Sequence, residues 1–181
     1  MSARSFEKEM VVVTGIRIRD EEEPDYLAIT ETTESAFATL AISEHTEQFI
    51  IRALREAGAL TISLVAEAEG RVVGHVALSP VTLSDGSPHW FGLGPISVRP
   101  ELHRRGIGSL LMEHALARLR SMEAGGCILV GDPGYYRRFG FRSLPGLEIE
   151  GVPPQYVLAL PFDESRPQGM VVFHDAFRAT A

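Results

Sequence analysis

A single cysteine in 181 residues, Cys127, leaves no internal disulfide and suits a reducing compartment. No apolar run approaches the ~20 residues a membrane helix needs, and the opening "MSARSFEKEM" lacks the apolar core of a secretory signal. These absences predict a cytoplasmic protein. Repeats, low-complexity tracts and long linkers are missing too. The chain therefore reads as one domain over residues 1–181, with a core at about residues 14–162 and a C-terminal strand extension. A net charge of −7 argues against the broad basic face that nucleic acid requires. There is no G-x-x-x-x-G-K-[ST], and no full G-x-G-x-x-G follows the first strand, which disfavours a nucleoside-triphosphate loop and a dinucleotide fold. The six histidines are scattered without the paired spacing of a zinc site, so no metal is expected.

What is present begins with composition: 45% hydrophobic and 23% charged residues, the balance of a soluble globular protein. Charge is uneven. Residues 96–142 hold eight arginines against Glu101, Glu113, Glu123 and Asp132, a local +4 that leaves −11 elsewhere. A basic segment in an acidic chain suits a small polyanion.

The pattern predicts a half-buried strand at "TGIRIRD", then a helix through "EEEPDYLAITETTESAF" with Pro24 near an acid-rich first turn. The acidic "DEEE" itself reads as a solvated helix start. A second helix is expected at "SEHTEQFIIRALREAG", with Ser43 and Thr46 as caps and Gly58 as stop. "LTISLVAEAEG" and "RVVGHVALSPVTL" read as a hairpin turning at Glu69–Gly70. "HWFGLGPISVRP" is a strand interrupted by Gly92, Gly94 and Pro95, which marks a bulge, an edge or a backbone that something else must approach. A helix follows with Ile107, Leu111, Ala115, Leu119 and Met122 on its packing stripe. "CILVG" is a buried strand, "DPGYYRRF" a short helix capped by Asp132, and "YVLALPF" and "GMVVFHDAF" close the sheet. Helices alternate with strands around a hairpin, so the fold class is α/β (α+β): a mixed central sheet of about seven strands flanked by helices.

The segment "HRRGIGSLL" stands where a helix begins. A helix start carries unpaired N–H groups and about half a positive charge, and an anion there meets both. Gly106 and Gly108 remove side chains where the backbone would curl round a diphosphate, while Arg104 and Arg105 add cationic donors. A bare G-x-G is equally an ordinary helix start.

Two stretches carry a resemblance. "H-R-R-G-I-G" (residues 103–108) resembles the Q/R-x-x-G-x-G/A motif of the GNAT superfamily of N-acyltransferases, with His103 where Gln or Arg is expected. "Y-R-R-F-G-F" (residues 136–141) resembles that family's Y-x-x-x-G-F. "LGPISV", "GDPGYYRRFGF" and "GMVVFHDAF" are most similar to a YhbS-type bacterial branch of predicted acetyltransferases. The resemblance implies the acyl-CoA N-acyltransferase fold and acetyl-CoA as acyl donor. It implies a diphosphate cradle from His103, Arg104, Arg105, Gly106, Ile107, Gly108 and Ser109, and a pantetheine arm paired with Ile96, Ser97 and Val98, the Val98 N–H polarising the thioester carbonyl. It also implies Tyr136 as the acid that protonates the departing thiolate; Tyr135, about 100° away around a helix, reads as a packing residue. The acceptor would be a primary amine of a small molecule or peptide, and the protein a homodimer.

Chemistry adds a need for a base, since an alkyl amine of pKa near 10.4 is only about one part in a few thousand neutral at pH 7. Glu67, His75, Asp85 and His89 are the candidates, His89 beside Trp90 the most suggestive, and an ordinary surface or satisfied role is the commoner reading of each. Cys127 reads as an inert buried thiol. The alternative function is a catalytically silent acyl-CoA sensor of the same fold.

Overall fold

The computed structural model describes residues 15–41 and 43–181. Thr14 and the opening "MSARSFEKEM" of the sequence readings lie outside the described residues. Strand β1 (Ile16–Asp20) leads through a 3-10 turn (Glu23–Asp25) into α1 (Tyr26–Phe37), followed by α2 (Glu47–Glu56). Next come β2 (Ile62–Ala68), β3 (Arg71–Leu83), β4 (Trp90–Val98), α3 (Ile107–Ser121), β5 (Gly126–Val130) and the single turn α4 (Pro133–Tyr136). The two-residue β6 (Leu147–Glu148), β7 (Val157–Pro161) and β8 (Gly169–Val172) complete the sheet. Strand order is β1-β2-β3-β4-β5-β7, antiparallel except for β4 with β5, while β8 lies between β3 and β6. The sheet is therefore mixed, as expected, with eight strands among the described residues; β6 is too short to leave a periodic signal.

Each face of the sheet has its own helix layer. Gly74, Val76 and Leu78 of β3 alternate toward α3, whose Leu111, Met112, Ala115 and Leu119 are wholly buried. Val65 and Ala77 point the other way, under Ile29 of α1 and Ile51 of α2. Met122, expected on the α3 stripe, falls just beyond the helix at its C-cap and is 44% exposed. Met112 and Leu116 take the burial instead, because a stripe about 100° wide needs neighbours of the i, i+4 row.

Local chemistry accounts for most of the turns. Glu69 and Gly70 both have positive φ (50° and 75°), the twist that joins β2 to β3. Gly58, at φ 66°, ends α2. Thr46 precedes α2 but forms no side-chain cap; Ser43 binds there instead, accepting from His45 N and donating to Glu47 Oε1. The "DEEE" stretch is solvated as expected except at one residue: Asp20, Glu22 and Glu23 are exposed, and long-range pairing draws in Glu21. Asp20 meets Arg118 at 3.1 Å and Glu21 meets Arg55 at 2.7 Å, while Asp25 binds Arg19 at 2.6 Å. The expected closing strand "GMVVFHDAF" stops at Val172, where His174 Nδ1 accepts the Ala176 N–H and caps a 3-10 turn (Asp175–Arg178).

Candidate active site

Strands β4 and β5 pair only from Trp90↔Gly126 to Gly92↔Ile128, then part. Their divergence starts where β4 bulges: Leu93 faces Leu78 and Ile96 faces Val76, so Gly94 and Pro95 stand opposite Ala77 alone. Gly92 answers a different need. A Cβ there would overlap the ring of Phe173, which follows β8. The interruption of "FGLGPIS" thus has two of its expected causes, a bulge and a close approach.

Beyond the bulge, β4 keeps β3 on one side and, among the described residues, has no strand on the other. Arg99 N–H donates to Val73 O at 2.9 Å. Because antiparallel residues alternate, Ser97 and Arg99 direct their main-chain groups at β3, and Ile96 and Val98 direct theirs at the open edge. Ser97, expected with the cofactor-binding residues, is turned from that edge in both senses. Its side chain is 4% exposed and its hydroxyl lies 3.3 Å from that of Thr33 in α1. The Val98 carbonyl already accepts one hydrogen bond, from His103 Nε2 at 2.8 Å. His103 therefore ties the arginine loop to the end of β4, and the carbonyl keeps a second lone pair.

That loop is a concentration of free donors. Arg104 (φ 62°) and Gly106 (φ 80°) both take the left-handed conformation, which suits glycine and costs other residues roughly 1–2 kcal/mol. Among the described residues, the first main-chain bond of α3 runs from Leu110 N to Gly106 O, and the N–H groups of residues 104–109 donate to no other residue. Alternating left-handed residues aim successive N–H groups into one concavity, a shape that binds anions. Arg104 and Arg105 are exposed beside it. A Cβ at Gly108 would stand 3.2 Å from the Tyr135 hydroxyl, so the glycine lets α4 close over the first turn of α3. Arg138 stacks 4.4 Å from the Tyr135 ring centroid and donates to its carbonyl. The sequence reads Tyr135 as a packing residue; its hydroxyl also reaches the rim of the donor loop.

Tyr136 points elsewhere. Its ring lies on Gly131, where any Cβ would overlap it, and meets Phe141 edge-on at 6.1 Å. Asp132 Oδ1 accepts the Gly134 N–H at 2.9 Å, the expected cap that sets this turn. The Tyr136 hydroxyl bonds to no described residue, and the side chain forms part of the wall of a cavity of about 670 Å³ together with Leu93, Gly94, Pro95 and Ile96. Burial, with the neighbouring Tyr135, pushes its phenol up to about 12. It stays protonated across the physiological range.

The four candidate bases lie outside that cavity. Glu67 binds Arg19 at 2.9 Å. Asp85 accepts the N–H groups of Ser87 and Gln168, which hold its carboxyl below the usual range and fix the β3–β4 loop to the approach of β8. His89, exposed at φ 58°, takes part through its carbonyl, which accepts from Gly125. His75 is fully buried, its Nε2 2.7 Å from the Ser63 hydroxyl; burial, opposed by Glu21, lowers it to about 4. Burial likewise raises the Cys127 thiol and keeps it inert. Three titratable or charged cavity residues escaped the sequence reading, Glu150, His174 and Arg178, since nothing in "EIEG" or "FHDAFR" signals a shared wall. Among the described residues no three His, Cys, Asp or Glu side chains group as metal ligands, and no helix is long and apolar enough to cross a membrane.

An open strand edge beside a loop of free N–H groups is suited to an extended ligand ending in a diphosphate. Known proteins resemble this chain. The uncharacterized N-acetyltransferase YhbS of Escherichia coli (strain K12) is 36% identical over 96 residues, 52% of this chain and 58% of its own. The uncharacterized N-acetyltransferase YjhQ of that strain is 33% identical over 97 residues, 52% of each chain. The chain thus matches little more than half the length of these curated relatives. Among solved structures, a GNAT family acetyltransferase from Brucella melitensis in complex with acetyl-CoA is 45% identical. It superposes with a TM-score of 0.80 over 90% of this chain and 97% of its own. YhbS from Escherichia coli in complex with CoA gives 26% identity and a TM-score of 0.82, over 92% and 93%. Residues 17–141 match the Acetyltransferase (GNAT) family, and with those likenesses the chain belongs to that family.

Proposed function

We propose that this protein is an N-acetyltransferase that moves the acetyl group of acetyl-CoA to a primary amine of a small molecule or peptide. The observation that carries the reading is the open edge of β4 at Ile96 and Val98, followed in the chain by the free N–H groups of residues 104–109, with Tyr136 lining one cavity together with Ile96. In this reading the diphosphate lies in the loop of His103, Arg104, Arg105, Gly106, Ile107, Gly108 and Ser109. The pantetheine amides pair with Ile96 and Val98 as an added strand, and the Val98 N–H polarises the thioester carbonyl. The Brucella melitensis relative bound to acetyl-CoA supports the choice of donor.

The neutral amine attacks the thioester carbon, the C–S bond breaks, and the coenzyme leaves as a thiolate. Tyr136 serves it in a way its acidity dictates. A phenol near 12 facing a thiol near 8.5 makes complete transfer uphill by about 5 kcal/mol. The hydroxyl therefore stabilises the departing sulfur as a hydrogen-bond donor. Protonation of the sulfur is completed in a coupled step, the phenol passing its proton to sulfur as the proton shed by the new amide's nitrogen replaces it, so the thiol and the amide leave with no net proton change at the enzyme. Residues 1–181 act as one catalytic domain. The lone reduced cysteine supports a cytoplasmic setting, and the family resemblance supports a homodimer. Both edges of β8 are taken within the chain, by β3 and β6, so such a dimer would not use β8 as a free edge strand.

Acetyl-CoA at 100 times its dissociation constant should stabilise the protein by about 2.7 kcal/mol, or roughly 5–10 °C for a chain of this size. Thiol release should then depend on added amine. A thermal shift without amine-dependent thiol release would leave an acyl-CoA sensor; no shift would remove the reading altogether.

A further inference from the structure

We infer that the cavity beside Tyr136 accepts a primary amine with a bulky apolar body, an arylalkyl or branched alkyl amine. This rests on the acetyl-transfer reading above and names its acceptor class. The volume of about 670 Å³ is that of a small-molecule site. Of the eight large hydrophobic side chains exposed among the described residues, four form part of its wall: Leu40, Val130, Met170 and Val172. Apolar surface gathered on one concavity marks a place that something apolar covers. The cavity is continuous with Leu93–Ile96 of the open β4 edge, so what fills it adjoins the position of the thioester.

Polar partners inside are few, and their signs favour a monoamine. Glu150 is the only acidic residue of the wall and has no ion-pair partner among the described residues, leaving a carboxylate to attract one ammonium. Arg178 is 82% exposed and stands 3.8 Å from Asp175, so its charge is screened mainly by water. His174 spends Nδ1 on accepting the Ala176 N–H, so that nitrogen is not available to the cavity. A polyamine or amino sugar would bury several groups without partners, each at roughly a tenfold loss or more.

The amine nitrogen bonds to the acetyl carbon as the C–S bond breaks. One amine proton is lost and one is gained by the coenzyme sulfur, giving an N-alkyl acetamide and free thiol. The same wall could instead hold a longer acyl chain of the donor, and the experiment separates the two. With acetyl-CoA, thiol release is followed for ethylamine, butylamine, 2-phenylethylamine and 4-phenylbutylamine, against spermidine and glucosamine. We expect kcat/KM to rise about fourfold per buried methylene and to exceed the polar amines at least a hundredfold. Val172→Lys, at a half-exposed wall position, should cut the phenylbutylamine-to-ethylamine ratio tenfold or more. Calorimetry of 4-phenylbutylamine and spermidine with the CoA-loaded protein reads binding without turnover. Phenylbutylamine that binds yet releases no thiol would sustain the cavity assignment and sink the acetyl-transfer reading. Spermidine or glucosamine turned over as well as the apolar amines would overturn the inference and leave acetyl transfer standing. So would failure of phenylbutylamine to bind, or a flat amine profile with decanoyl-CoA preferred to acetyl-CoA.

Discussion

Replacing Tyr136 by phenylalanine removes one oxygen and little else. The ring rests on Gly131 and against Phe141, contacts that phenylalanine keeps, and the hydroxyl has no partner among the described residues to orphan. Stability near neutral pH should therefore change by less than about 1 kcal/mol. The chemical step should suffer more. Loss of a single positioned donor to developing charge slows reactions by about 10²–10³-fold, or 2.7–4 kcal/mol, whereas uncoupled full proton transfer would already carry a penalty of about 5 kcal/mol from the mismatch between 12 and 8.5. We therefore expect kcat to fall 10²–10³-fold with KM for acetyl-CoA within about threefold of the parent. The pH profile gives a second reading. A phenol titrating near 12 produces no falling limb in the parent below about pH 11. Stopped-flow assay of thiol release from pH 6 to 10.5 reports both. Equal rates in the two proteins, or a parent limb near pH 9 that disappears in Tyr136→Phe, would refute this account of the residue.

Two further outcomes follow from other parts of the molecule. Burial, its largest influence, lowers His75 to about 4 against 6.5 in the unfolded chain. The unfolded state binds the extra proton between those values, so stability is full above pH 6.5 and falls toward pH 4, by roughly 2–3 kcal/mol at pH 4.5. Urea unfolding at pH 7 and 4.5 measures it, and His75→Gln should shrink the difference. At the donor loop, Gly106→Val places a branched side chain at φ 80°; it should lose about 1–2 kcal/mol of stability and all of the thermal shift with acetyl-CoA, and a retained shift would move the cradle elsewhere.

The legible features share a cause: they are set by neighbours in sequence. Glu69–Gly70 fixes its own turn, Asp132 caps the helix two residues on, and the glycines at 106 and 108 stand at the helix start where the pattern puts them. What escaped depends on distant chain segments. Nothing local tells Asp20 that Arg118 lies across the sheet, nor tells Glu21 that Arg55 will remove it from solvent. Ser97 looked like a ligand contact because its neighbours do; only the register of β4 on β3 reveals that odd and even positions face opposite ways. The cavity is the extreme case. It joins the end of α1, the β4 bulge, Ile149–Glu150 and the stretch around β8, and no periodicity links such pieces.

The parting of β4 from β5 after Gly92 divides labour along the polypeptide. Everything proposed to hold the donor lies between residues 96 and 109, a contiguous fourteen-residue span. The acceptor side is assembled mostly from late segments that meet this span only at the fork. Changes in the tail from residue 147 onward can thus redraw which amine enters while the coenzyme half stays untouched. One inherited donor grip becomes a socket for many acceptors, and exchanging that tail between relatives is the natural way to carry one enzyme's taste onto another.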